Sequence, residues 1–384
     1  MKLLILSVEF PPGPGGYGTL AHQAALQLSE LGWQVRVASP QDHASPAEIA
    51  RFNRSQPYPI LRDRKVEPPI LEGLYRLGKA LHQASVDRPD VILAIGRHSA
   101  WVGALVSTLF SIPFAVVGVG TEFLVEGQLD RALTRWAFSK AGLLVAISDY
   151  AYGLARSRGF DLSRAQVLRL GADETLYRPG IPVDGLRQRL GLDGERILLT
   201  VGQVSERKAQ DVVVQALPAI LEKLPNVTYL IAGLPTRQKE LEKLAGELGV
   251  AGRVRFAGRV NQSELPAYYN LAEVFVLVSR QAGKDDVEGF GIAAVEAALC
   301  GKPAVVSRSS GLVEAVVPGE TALVVPPDDP PATADAILQL LENDRMRQDM
   351  GSAACNYALQ NATWKKRMLP YHSALIKLIN KSGD

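Results

Sequence analysis

Residues 1–39 read MKLLILSVEFPPGPGGYGTLAHQAALQLSELGWQVRVAS. The run from Lys2 to Val8 is apolar and short enough to be a buried strand, and it ends in the turn PPGPGGYG. Apolar residues then recur at helical spacing as far as Leu31. Gly32 stops that helix and WQVRVAS supplies a second strand. The order is strand, glycine-rich turn, helix, strand, which is the opening of a βαβ unit. The same order favours a first strand over a secretion signal, because Glu9 and two prolines interrupt the apolar run.

Outward from this unit the alternation continues. DVILAI, PFAVVGV and GLLVAIS are short apolar strands separated by helical patterns, and the half closes near GADETLYRPG. A second series follows, with RILLTVG, VTYLIAG, RVRFAG, VFVLVS, PAVVS and TALVV as strands. Near-continuous apolar strands alternating with helices predict parallel sheets covered on both faces. The expectation is an α/β protein of two Rossmann-like, doubly wound domains, residues 1–180 and 181–364, facing a central cleft. Ligands bind such sheets beyond the carboxyl ends of the strands. Residues 42–70, rich in proline and charge, read as an irregular surface excursion.

Length and charge agree. The 384 residues suit two domains. Hydrophobic residues make up 47% and charged residues 21%, a soluble globular balance. The net charge of +2 divides into +3 over 1–180 and −1 over the rest, too weak for a nucleic-acid footprint. Ser99–Gly120 is uncharged, but Pro113 divides it into a helix near 99–110 and a strand near 114–118, so buried core is preferred to membrane contact. Cys300 and Cys355 sit in apolar helical sequence and fit a reduced, cytoplasmic setting. Arg51, Arg54, Arg62, Arg64 and Lys65 form a basic excursion diluted by Asp63 and Glu67. A solvated loop is its first reading. Contact with an anionic acceptor or a lipid headgroup, peripheral at the inner face of the membrane, is its second.

The strongest chemical signal is EGFGIAAVE, Glu288 to Glu296, after a strand ending near Ser279 and a polar loop, with a helix starting at the glycines. Eight residues of helix rise about 12 Å. The two carboxylates would then hold opposite parts of an extended ligand, with helix-start amides between them for phosphate. A capped helix with two exposed glutamates is the plain alternative. Arg207 and Lys208, in VGQVSERKAQD, offer fixed positive charge for a departing diphosphate. No D-x-D motif occurs in the chain, so no metal cofactor is expected. Gly15 and Gly16 allow close backbone approach, without G-x-G-x-x-G spacing.

The stretches EFPPGPGGYG, GADETLYRP and VSRQAGKDDVEGFGIAAVEAALCGKPAVVSRSSGLVEAVVPGETALVVPPDD resemble segments of the retaining glycosyltransferases of family four, which have the GT-B fold. The resemblance covers nearly the whole chain and is most specific in the E-x7-E region. It implies that Glu288 lies by the transferred sugar and that the backbone of the Gly289, Phe290, Gly291, Ile292 segment contacts sugar and phosphate. It implies that Glu296 binds the ribose hydroxyls, Lys208 the diphosphate, and Arg259 and Val260 the base. Gly15 and Gly16 would border diphosphate and acceptor, and a final helix, 365–384, would cross back onto the first domain. Two positions depart from the family pattern. Gln203 stands where an arginine is common, with Arg207 as the substitute. Val119 stands where an H-G-x-E segment has histidine, leaving Thr121, Glu122 or His98 to support the sugar.

The implied function is transfer of a hexose-type sugar from a UDP- or GDP-linked donor to an acceptor hydroxyl on a glycan or lipid-linked acceptor, without metal. Glu288, Lys208 and Glu122 are the catalytic candidates. The alternative that Val119 and Gln203 favour is a glycosyltransferase-like binding or partner subunit.

Overall fold

The computed structural model describes residues 1–13, 15–40, 44–63, 69–308 and 310–381. Arg64, Lys65 and Glu67 of the basic excursion lie outside the described residues. The chain forms two compact units, Met1–Leu170 with the C-terminal segment from Trp364, and Gly171–Thr363.

In the first unit the strands are β1 (Lys2–Ser7), β2 (Gln34–Pro40), β3 (Ile60–Asp63), β4 (Val91–Ile95), β5 (Phe114–Gly118), β6 (Leu143–Ala146) and β7 (Ala165–Val167). They pair in the order β3-β2-β1-β4-β5-β6-β7, all parallel. β4 and β5 are buried at every position, as a sheet covered on both faces requires. The order reverses between β1 and β4, so the loops after these two strands diverge to opposite faces and leave a crevice at the carboxyl edge.

The uncharged stretch divides into the helix Arg97–Phe110 and β5. Among the described residues no helix is long and apolar enough to cross a membrane. The helix Trp364–Lys381 packs on the first unit. Its Tyr371 hydroxyl donates to the Leu168 carbonyl at 3.1 Å, and His372 Nδ1 accepts from the Trp33 indole at 2.9 Å. A Cβ at Gly142 would fall 2.4 Å from Leu378 Cδ1, so glycine there lets the helix settle onto β6.

In the second unit the strands are β8 (Arg196–Val201), β9 (Val227–Ala232), β10 (Val254–Gly258), β11 (Val274–Leu277), β12 (Ala304–Ser307) and β13 (Ala322–Val325). Their order is β10-β9-β8-β11-β12-β13, again parallel, with the reversal between β8 and β11.

Two readings of the sequence change here. Residues 171–180 go with the second unit rather than the first. The Ala172 amide donates to the Ala362 carbonyl at 2.9 Å, and Asn270 Nδ2 donates to the Arg178 carbonyl at 2.9 Å. The 42–70 stretch is also not irregular throughout, because it contains the helix Pro46–Ser55 and β3. That helix starts on a capping box between Ser45 and Glu48, with Pro46 in its first turn. Arg62 is no solvated loop residue. Its guanidinium donates to Asn53 Oδ1 at 3.0 Å and to the carbonyls of Phe10 and Pro11, and it stacks over the Phe10 ring at 5.3 Å.

Candidate functional site

The reversal between β8 and β11 sets two loops beside each other in the second unit, and each carries charge. β8 runs into Gly202, whose φ of +144° suits glycine; a Cβ there would lie 3.1 Å from Lys208 Cε. The missing side chain lets Lys208 lie along the strand end. Lys208 is 9% exposed and Glu288 8%. Lys208 Nζ and Glu288 Oε2 are 2.6 Å apart. Arg207 Nη1 bonds the same carboxylate oxygen, and its Nε lies 2.8 Å from Asp286 Oδ1. The backbone joins the loops as well, for the Arg280 amide donates to the Arg207 carbonyl at 2.8 Å.

Burial drives the Glu288 carboxyl up, but the Lys208 ammonium and Arg207 guanidinium outweigh it and hold the group below its ordinary range. Burial pulls the Lys208 ammonium down, and Arg207 adds to the effect against the opposing pull of Glu288. Arg207 and Lys208 are therefore not the solvated first turn that their sequence allows.

The helix begins at Ile292, directly after the glycines at which the sequence reading starts it, with Gly291 as its left-handed cap at φ +87°, where a Cβ would meet Leu312 Cδ1 at 2.4 Å, and Glu288 precedes it. The separation of Glu288 from Glu296 is thus not a helical rise of eight residues. The Glu288 segment is a loop whose carbonyl accepts from the Gly311 amide at 3.1 Å. Phe290 is buried and anchors that loop. No side chain caps the helix start and no acidic residue occupies its first turn, which suits an anion there.

Glu296, on that helix, is partly buried. Its Oε2 accepts from the Tyr269 hydroxyl at 2.6 Å, and the Tyr177 ring packs edge to face on Tyr269 at 5.6 Å. Burial raises its carboxyl above the ordinary range, partly offset by the two tyrosines and Lys208. Neither tyrosine is singled out by the sequence; the available signal is that a buried tyrosine hydroxyl needs a partner.

Gln203 is exposed, with Nε2 donating to Thr236 Oγ1 at 2.8 Å. Arg259 and Val260 follow β10, two strands from β8 at the same sheet edge, with Arg259 exposed.

In the first unit, Gly15 (φ +145°) caps the helix Gly16–Glu30 after β1. Tyr17 in its first turn reaches the loop after β5, donating to Glu122 Oε1 at 2.7 Å and lying 2.8 Å from Thr121 Oγ1. Glu122 Oε2 accepts from the amides of Val119 and Gly120 at 2.9 and 3.2 Å. Oε2 therefore holds the loop itself and Oε1 ties it to Tyr17, and burial pushes this carboxyl up as well. His98 is exposed at the start of the helix after β4, edge-on to Trp101 at 5.0 Å.

Residues 14–176 match the family model described as Glycosyltransferase Family 4, and residues 184–357 match that described as Glycosyl transferases group 1. A GDP-mannose-dependent alpha-(1-6)-phosphatidylinositol monomannoside mannosyltransferase of Mycolicibacterium smegmatis is 36% identical over 390 residues, covering 95% of this chain and 96% of that one. The chain belongs to this family of glycosyltransferases.

A D-inositol 3-phosphate glycosyltransferase of Corynebacterium urealyticum is 32% identical, over 94% of this glycosyltransferase and 91% of the relative. The fold is GT-B. Anabaena HepE, solved in complex with UDP-glucose, superposes with a TM-score of 0.83 at 23% identity, covering 98% of this chain and all of that one (100%).

Proposed function

We propose that this glycosyltransferase moves a hexose from a nucleoside-diphosphate sugar to an acceptor hydroxyl with retention of the α configuration and without a metal ion. The observation that carries the reading is the cluster of Lys208, Arg207 and Glu288 at the carboxyl ends of β8 and β11. One buried and one half-buried cation face one carboxylate beside an uncapped helix start. That is a place prepared for negative charge developing on a leaving diphosphate.

In this reading the C1–O bond to the β-phosphate breaks while the acceptor oxygen bonds C1 from the same face. The departing phosphate oxygen takes the acceptor proton. Glu288 is held by Lys208 and Arg207, which suits a group that orients the sugar and its neighbouring cations rather than one that attacks C1. Donor binding draws Lys208 toward the diphosphate, and Arg207 remains on Glu288 and Asp286. Glu296 takes the ribose hydroxyls, and the loop at Arg259 and Val260 takes the base. In the first unit Glu122 is a positioning residue for the loop after β5.

GDP-mannose is the donor we assign, because the relative at 36% identity is described as GDP-mannose-dependent. Two relatives are described as acting on inositol-containing acceptors, so an inositol phosphate, free or lipid-linked, is the acceptor class, used at the cytoplasmic face of a membrane. The test is product formation from GDP-mannose, UDP-glucose and UDP-galactose with inositol phosphates and phosphatidylinositol glycosides. Mannosyl transfer from GDP-mannose is expected. Transfer from UDP-sugars alone would overturn the donor assignment.

A further inference from the structure

Glu296 is not a lone glutamate on a helix. Tyr269 is fully buried and Tyr177 is 2% exposed. Their rings meet edge to face at 5.6 Å and 83°, and Tyr269 also packs on Phe275 at 5.8 Å. The Tyr269 hydroxyl ends on Glu296 Oε2 at 2.6 Å, and the Tyr177 ring braces Tyr269 from the side. Burial, reinforced by the charge on Glu296, keeps both phenols protonated far above neutral pH, so they act as donors.

Tyr177 is brought there deliberately by the backbone. Its amide donates to the Asp173 carbonyl at 2.8 Å, and Asp173 Oδ1 accepts from the Thr175 amide at 2.9 Å. Asn270, next to Tyr269, clamps the same segment from both sides: Nδ2 donates to the Arg178 carbonyl at 2.9 Å and Oδ1 accepts from the Ile181 amide at 3.3 Å. Lys302 Nζ in turn donates to the Asn270 carbonyl at 2.9 Å. Two segments distant in sequence are locked together where their tyrosines converge.

A carboxylate offers about four lone-pair sites. The Tyr269 hydroxyl takes one on Oε2 and leaves the two sites of Oε1, the number that a vicinal diol requires. We infer that Tyr269, braced by Tyr177, is a positioning residue that fixes Glu296 with Oε1 toward the 2′,3′-diol of a nucleoside, making it the determinant of ribonucleotide over deoxyribonucleotide donors. The inference rests on the transferase reading above, in which Glu296 meets the ribose. The other titratable groups acting on Glu296 are Lys208 and Cys300, and neither is altered in the test.

The experiment is calorimetric titration of the full chain with GDP and with 2′,3′-dideoxy-GDP, in the parent and in Tyr177→Phe and Tyr269→Phe. The parent should prefer GDP by about tenfold or more, the scale of hydrogen bonds to a charged group. Tyr269→Phe should lose much of that preference through weaker GDP binding, with dideoxy-GDP affinity unchanged as the internal control for an intact fold, and Tyr177→Phe, which keeps the ring, should retain it. A preference that survives Tyr269→Phe, or equal weakening toward both nucleotides, overturns the inference alone. Failure of the parent to bind any nucleoside diphosphate overturns the transferase reading together with it.

Discussion

Lys208 and Glu288 come from loops after different strands of the second sheet, yet Nζ and Oε2 stand 2.6 Å apart with both side chains nearly closed to solvent. Taking one partner from a buried pair leaves the other uncompensated. Arg207 remains on Glu288, so Lys208→Ala should destabilise the fold by about 3 kcal/mol, the low end for buried pairs. Urea unfolding of parent and variant measures this. A change within a few tenths of a kcal/mol would show the pair to be idle in folding.

The same pair sets an acid-side dependence of stability. Glu288 titrates below its ordinary value of 4.5 because two cations outweigh burial. A carboxyl depressed in the folded state contributes stability that is complete above the unfolded value and lost as pH falls through the folded one. The stability gap between parent and Glu288→Gln should therefore narrow below about pH 4.5. Unfolding free energies measured from pH 3 to 7 test this, and a gap that widens toward acid contradicts the sign.

Glu296 has the opposite shift. Burial raises its carboxyl, so protonation begins above the ordinary range as pH falls. A nucleotide sugar has a diphosphate diester that does not itself titrate near neutrality. Its affinity should fall on the acid side in the parent and stay flat in Glu296→Gln, which binds more weakly throughout. Titrations of GDP-mannose across that range decide it, and parallel pH profiles would remove Glu296 from the ligand.

Much of this arrangement was legible in the sequence and some was not. Strand and turn order carried the two parallel sheets, because apolar runs and glycines report burial and backbone freedom directly. Lys208, Glu288 and Glu296 stood out by residue type and spacing. Their contacts did not, since spacing alone does not disclose that Lys208 and Arg207 close on Glu288 or that Tyr269 holds Glu296. Arg62 read as surface charge because nothing local discloses the carbonyls of Phe10 and Pro11 that it holds. Tyr177 was hidden for a similar reason: GADETLYRPG reads as a connection until Asn270 is seen to clamp it.

The two glycines after β1 should separate on substitution. Gly15 has φ +145°, and a Cβ there would also displace the Glu9 carboxylate, from which it would lie 1.9 Å. Gly16 has nothing within 4 Å of a built Cβ and opens a helix. Gly15→Ala should cost about 1–3 kcal/mol and Gly16→Ala close to nothing. Thermal melts of both variants compare them directly, and equal melting temperatures would refute the backbone argument.

The central claim is that Lys208 stabilises a leaving nucleoside diphosphate without help from a metal. The direct measurement is transfer from GDP-mannose to inositol-phosphate acceptors in excess chelator, for the parent and for Lys208→Ala at a temperature where both are folded. The account predicts chelator-resistant turnover in the parent and a loss of about a hundredfold or more in the variant. A strict requirement for Mg²⁺ or Mn²⁺, or undiminished turnover in Lys208→Ala, would contradict it.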